Sequence, residues 1–309
     1  MTEPVVPTLT VAVATRNRQA SLLRCLRSLT LLGDLLTEIL VVDDASDVPV
    51  AEAIATLPPE LASRVTVIRQ PEGPGYIAGR NQMMRHASGE VVLSMDDDAY
   101  LLEGAGIRRA LALMADRPEL VAVACAQAEP DGEPWPAAMQ PSTARYDCYV
   151  ASYIGFAQLT RRRLFVDLGG YHESFFFYGE EKDFCLRALD AGYRVAYLPD
   201  LRVAHVPDPS GRSMTRYIRY VIRNDCLFSL YNEPLPVALA SLPIRLGRFV
   251  SMTRRGGVRD PGGLFWIVGS LASLMPTLWR DRKPVSWESH RRWRRLRRIS
   301  PPLEPGVPA

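Results

Sequence analysis

The apolar run Val91-Val92-Leu93-Ser94-Met95 ends directly in Asp96-Asp97-Asp98. An apolar run without alternation reads as a strand covered on both faces, the pattern of a parallel sheet between helices. Adjacent acids at its end repel one another unless a cation or a set of donors neutralises them. Mg²⁺ or Mn²⁺ fits that need, because hard divalent ions take oxygen ligands and share them with substrate phosphates. The feature therefore demands both a layered sheet and a charged crevice at its edge.

The rest of the N-terminal half agrees. Strand-like runs at 9–14, 39–42, 65–68, 91–95 and 121–126 alternate with helical patterns at 19–32, 51–56, 76–87 and 107–115. In 19–32, Leu22, Leu26 and Leu29 share one helical face. This predicts an α/β fold with a mainly parallel mixed sheet flanked by helices. Polar clusters fall where strands end, at Thr15–Arg18, Asp43-Asp44 and Asp96–Asp98, so all three point to one cleft at the carboxyl edge. Further on, 129–141 reads as a loop, 149–160 as a strand, 180–191 as a helix closed by Gly192, and 193–198 as a short strand. Beyond about residue 210 the alternation stops and Arg-rich amphipathic segments follow. The expected division is 1–210 as a catalytic domain and 211–309 as a helical, Arg-rich extension, with the Pro-rich last ten residues disordered.

A net charge of +3 over 309 residues excludes a nucleic-acid-binding polycation. The cysteines, Cys25, Cys125, Cys148, Cys185 and Cys226, are odd in number and lack a Cys-x-x-Cys pair. That argues against a disulfide framework or a structural zinc and fits a reducing compartment. Residues 1–10 lack a basic stretch followed by an apolar one, so no secretory leader is expected. No run reaches the roughly 18–20 apolar residues of a bilayer span, and 263–275 comes nearest. The expected location is cytoplasmic, at the inner face of the cell membrane if the basic segments bind it.

The segments TVAVATRNR (10–18), EILVVDDAS (38–46), GPGYIAGRN (73–81), VVLSMDDDAY (91–100) and FYGEEKDFCLRALDAGYRV (177–195), followed by His205, together resemble the family 2 glycosyltransferases. These are inverting enzymes of the GT-A fold, rhamnosyltransferases among them. The resemblance spans roughly residues 8–210. It implies transfer of a sugar from a UDP- or dTDP-linked donor to an acceptor hydroxyl in surface glycan or polysaccharide synthesis, the acceptor being a glycan or a lipid-linked glycan.

The resemblance also implies roles. Asp96–Asp98 match the family's DxD element, with Asp98 as main metal ligand, Asp96 on metal or ribose, and Asp97 beside the nucleotide. A metal held there neutralises the leaving diphosphate. His205 would complete the metal site, imidazole being an acceptable ligand for Mn²⁺. Asp44 would accept a hydrogen bond from the base, for which a pyrimidine imide N–H is a suitable donor. Thr15, Arg16 and Arg18 would contact the nucleotide, as would Arg80 and Asn81 after the glycine turn. Glu181 would be the general base in a region where the family usually reads Glu-Asp, here Glu180-Glu181 followed by Asp183.

Plainer readings stand beside these. Asp43-Asp44 with Ser46 can form an Asx turn, and Glu180 and Asp183 can serve a helix N-terminus. Trp135 and Tyr153 either line the acceptor side or pack. Arg212, Arg216, Arg219 and Arg223, at helical spacing, and the arginines at 291–298 either attract an anionic membrane, in a peripheral contact, or form solvated faces. A dinucleotide oxidoreductase is disfavoured, since Thr15–Arg18 stand where the Gly-rich turn belongs. A non-catalytic nucleotide-sugar-binding protein on the same fold is the remaining alternative.

Overall fold

The computed structural model describes residues 6–208 and 213–303. Residues 1–5, the expected domain boundary near 210, Arg212 and the tail from 304 lie outside them.

Nine strands form one mixed sheet: β1 (Leu9–Thr15), β2 (Leu36–Asp44), β3 (Val65–Gln70), β4 (Val91–Asp96), β5 (Ala99–Leu101), β6 (Leu120–Ala128), β7 (Cys148–Val150), β8 (Ala157–Arg161) and β9 (Arg194–His205). Their order is β3-β2-β1-β4-β8-β6-β9-β5, with β7 also on β9. The stretch β3-β2-β1-β4 is parallel, as is β6-β9; β8 runs antiparallel to both neighbours. Between the strands lie α1 (Gln19–Ser28), α2 (Val50–Ile54), α3 (Pro59–Ala62), α4 (Tyr76–His86), α5 (Ala105–Asp116), α6 (Arg162–Asp167) and α7 (Glu180–Asp190). Two hydrophobic clusters cover the two faces of the sheet. Burial on both faces is why the parallel strands read as continuous apolar runs.

The parallel register carries the polar ends to one edge. Thr15 pairs with Asp43, and Ala14 with Asp96. The antiparallel β8 starts at Ala157 opposite Met95, so Gly155 and Phe156 arrive beside Asp96, whose N–H donates to the Phe156 carbonyl at 2.8 Å. His205 closes β9 opposite Ala99, one residue from the acids.

Several local expectations shift. The helix expected over 19–32 ends at Ser28 and tightens into 3₁₀ turns to Leu35, broken at Gly33, where φ is +54°. The strand expected over 149–160 is two strands separated by a turn. The strand from 193 runs to His205, and Ala99–Leu101 is an additional short strand. Gly192, with φ of +93°, does close α7. The last ten residues are not wholly free: the Pro301 carbonyl accepts from Tyr149, and the Leu303 N–H donates to Asp147.

The extension is helical: α8 (Met214–Asn232), α9 (Leu235–Arg255), α10 (Gly263–Ser273), α11 (Met275–Asp281) and α12 (Trp287–Leu296). One correction concerns length and apolarity. Despite Arg245 and Arg248, α9 has an 18-residue window of mean hydropathy 1.2 and is long and apolar enough to cross a membrane. All five cysteines are free and buried.

Candidate active site

The acids at the end of β4 separate into two pairs of duties. Asp97 is buried and turns to the end of β1. It accepts from Thr15 Oγ1 at 2.7 Å and from Arg18 Nη1 at 3.1 Å. Burial pushes its carboxyl up to about 6. The Thr15 hydroxyl and the Asp97 carboxylate are thus bonded to each other.

Asp96, Asp98 and His205 instead converge, each offering a ligand atom within 4.8 Å of the others. Asp98 Oδ2 receives Arg18 Nη1 at 3.2 Å and the Asp208 N–H at 3.3 Å, while Oδ1 faces His205 Nε2 at 3.4 Å. Burial would raise the Asp98 carboxyl, but His205 in its doubly protonated form, Arg18 and that N–H together hold it below its ordinary value. His205 is stacked between Trp135 and Phe156, at 5.3 and 5.0 Å. Its Nδ1 donates to Gln127 Oε1 at 2.7 Å, and the Gln127 amide is oriented because its nitrogen donates to the Met139 carbonyl. In the neutral ring this leaves the Nε2 lone pair facing a carboxylate. A lone pair against an anion is repulsive, and a cation between them removes the repulsion. Two carboxylates and an oriented imidazole therefore fit Mn²⁺ or Mg²⁺.

The second half of the site meets at Arg80. It lies in α4, whose first turn follows Gly75, at φ +96°. The Arg80 side chain is buried over the Tyr76 ring, with Nη2 2.5 Å from Asp96 Oδ1 and 2.6 Å from the Gly155 carbonyl. Nη1 stands 3.5 Å from Glu180 Oε1. Glu180 is fully buried, and burial beside Glu181 pushes it up to about 8. Glu181 is half-buried, with its carboxylate over Gly155: a Cβ there would stand 2.4 Å from Glu181 Oε1 and 2.8 Å from Arg80 Nη1. Burial raises the Glu181 carboxyl, Arg80 opposes that, and Asp96 adds to it. Of the two glutamates, Glu181 is the one that a substrate can reach.

Asp183 is structural. It accepts from Arg187, Asn232 and His172, and these partners overcome burial to hold it well below the carboxylate range. Asn81 is likewise committed, since its amide binds the Tyr171 N–H and carbonyl and Glu173. Tyr153 is buried with its hydroxyl on Tyr171, not on an acceptor surface. Asp43 holds the turn after β2 through Ser46, Val50 and Arg69. Asp44 is left with one contact to the cleft, from the Gly75 N–H at 3.1 Å. Arg16 is exposed, its guanidinium against Gly73.

Two features escaped the sequence reading. Gly155 is required by the closeness of Glu181 and Arg80. Behind the site, Asn224 Nδ2 donates to the carbonyls of Phe175, Phe177 and Tyr178, and Arg223 to those of Ser174 and Phe175. This clamp holds Phe176 and Tyr178 at φ of +58° and +67°, a region that side chains of their size rarely occupy. Of the other arginines of α8, Arg219 pairs with Asp260 and Arg216 lies over the Phe177 ring.

The sequence profile of the family described as glycosyl transferase family 2 matches residues 10–184, more than half of the chain, including Asp96–Asp98, Arg80, Gly155, Glu180 and Glu181 but not His205. The chain belongs to glycosyl transferase family 2. It is a glycosyltransferase of the GT-A fold. Among solved structures it is similar to the mannosyltransferase PcManGT from Pyrobaculum calidifontis in complex with GDP-Man and Mn²⁺, at 18% identity and a TM-score of 0.60, covering 95% of this chain and 84% of that one. It is similar to S. aureus TarS 1-349 in complex with UDP-GlcNAc, at 18% identity and 0.60, covering 94% and 90%. GalNAc-T7 with UDP, GalNAc and Mn²⁺ follows at 16% and 0.53, covering 88% and 58%. At these identities the likeness is one of fold. No curated protein matches the chain.

Proposed function

We propose that this glycosyltransferase is inverting and metal-dependent, and moves a hexosyl-type sugar such as rhamnose from a UDP- or dTDP-linked donor to an acceptor hydroxyl. The observation that carries the reading is the meeting of Asp96, Asp98 and His205 with Glu181 around Arg80. Asp98, Asp96 and His205 would hold Mn²⁺ or Mg²⁺, which when bound neutralises charge on the leaving diphosphate. The Asp44 carboxylate is offered to the base, and Arg16 and Arg18 stand beside the nucleotide path. Glu181 takes the proton of the acceptor hydroxyl while its oxygen bonds to the anomeric carbon. The bond from that carbon to the diphosphate breaks, its electron pair leaves with the diphosphate, and the configuration inverts.

In this reading residues 1–210 form the catalytic layer, and 211–309 form its helical support. The acceptor is a glycan or a lipid-linked glycan of surface polysaccharide synthesis, handled at the cytoplasmic face of the membrane with peripheral contact. Donor turnover in water tests it without knowing the acceptor. UDP-, dTDP- and GDP-linked sugars, the last because PcManGT is complexed with GDP-Man, are incubated with Mn²⁺ and followed by proton NMR. An α-linked donor is expected to release β-sugar first. Release of α-sugar first, or no turnover of any donor, would refute the reading.

A further inference from the structure

The outward face of α9 is built for something other than water. Its most apolar window is only 11% buried. At 100° per residue, Leu239, Pro243, Gly247 and Val250 share one exposed stripe, none of them charged, and Leu235 and Ile244 lie on its two flanks. Ile244 is 71% exposed. The two arginines in the middle of this helix are held by acids: Arg245 turns inward to Asp225 and Glu233, and Arg248 pairs with Asp225. α10, which also packs on α8, has no charged residue and exposes Phe265 at 83%. The two helices share a core of Ile218, Ile222, Phe249 and Ile267 on α8, and Gly263 abuts Phe249. At the end of α9, Arg254, Arg255 and Arg259 are exposed, and residues 235–259 contain no acid.

We infer that the outer face of α9 and α10 lies in the interfacial layer of an anionic membrane. An apolar helix face bordered by arginines fits that layer, because its side chains reach the acyl boundary while the guanidinium groups meet lipid phosphates. A spanning helix would carry Arg245 and Arg248 into hydrocarbon and strip them of Asp225 and Glu233. A second copy of the chain would set Arg254, Arg255 and Arg259 against a face without acids. The inference rests on the proposed function only for the membrane contact that it locates. Vesicle binding is measured apart from nucleotide binding, so the two can fail separately.

The test is flotation of the full chain with vesicles of phosphatidylcholine alone and of phosphatidylcholine with phosphatidylglycerol. Flotation is expected with the anionic vesicles and is expected to weaken with added salt. Leu239→Asp with Ile244→Asp, or Arg254→Glu with Arg255→Glu, should each lower it by about tenfold or more. All these sites are exposed, so Mn²⁺-dependent UDP stabilisation should stay unchanged and report intact folding. Absence of flotation with either vesicle, or equal flotation of the variants, overturns the inference. A dimer that Leu239→Asp with Ile244→Asp converts to a monomer assigns the face to a second copy and overturns it too.

Discussion

Arg80 Nη2 stands 2.5 Å from Asp96 Oδ1, and the same guanidinium faces Glu180 and Glu181. One buried cation thus ties Asp96, on the side proposed to hold a metal, to the two glutamates, on the side proposed to take a proton. Arg80→Met leaves buried carboxylates without a counter-charge. Breaking such a pair costs about 3–5 kcal/mol, to be read from chemical denaturation. Arg80 also holds the Glu181 carboxyl down. Its removal raises that carboxyl, so a base that must be ionised works only at higher pH, and the acid limb of kcat/KM should move upward. Arg80→Lys should show a smaller move in the same direction.

Glu181→Gln should lower kcat by about 10²–10⁴-fold with nucleotide affinity unchanged. Glu180→Gln should mainly affect stability. Glu180 is raised from 4.5 to about 8 in the folded chain, so the unfolded chain releases that proton first. Its contribution to stability therefore falls as pH rises from about 4.5 to 8. Removing the acid should flatten the fall in Tm over that window. If Glu180→Gln abolished turnover and Glu181→Gln did not, the two assignments would be exchanged.

Gly155→Ala adds a methyl group 2.4 Å from Glu181 Oε1 and 2.8 Å from Arg80 Nη1. Both groups must move, and displacement of about 1 Å costs on the order of 10²-fold in rate. UDP affinity should change little, because the groups displaced are Glu181 and Arg80 and not Asp98 or His205. Isothermal titration and turnover measured together check this.

How much of this could be read in the sequence depends on whether the cause was local. Strands β1 to β4 were legible because helices cover both faces and leave unbroken apolar runs. The triple aspartate was legible because adjacent charges are conspicuous. Gly155 was not, since an antiparallel β8 lying next to β4 is a choice of topology, and its glycine meets Glu181 only after folding. Asn81 looked like a ligand contact because it adjoins Arg80, yet its amide faces Tyr171, 90 residues away. The Asn224 clamp and the His205–Gln127 bond are long-range in the same way.

Gln127→Leu removes the acceptor that orients His205. Loss of such a partner typically costs 10–100-fold in metal affinity. The Mn²⁺ concentration for half-maximal turnover should rise by about that factor, while kcat at saturating Mn²⁺ stays near that of the unaltered enzyme.

Calorimetric titration of UDP and dTDP, in Mn²⁺ and in EDTA, into the unaltered chain and into Asp98→Ala tests the central claim most directly. Binding that needs Mn²⁺ and is lost in Asp98→Ala is the predicted result. Equal affinity in EDTA, or full Mn²⁺-dependent affinity in Asp98→Ala, would contradict a metal held by Asp96, Asp98 and His205 in front of Glu181.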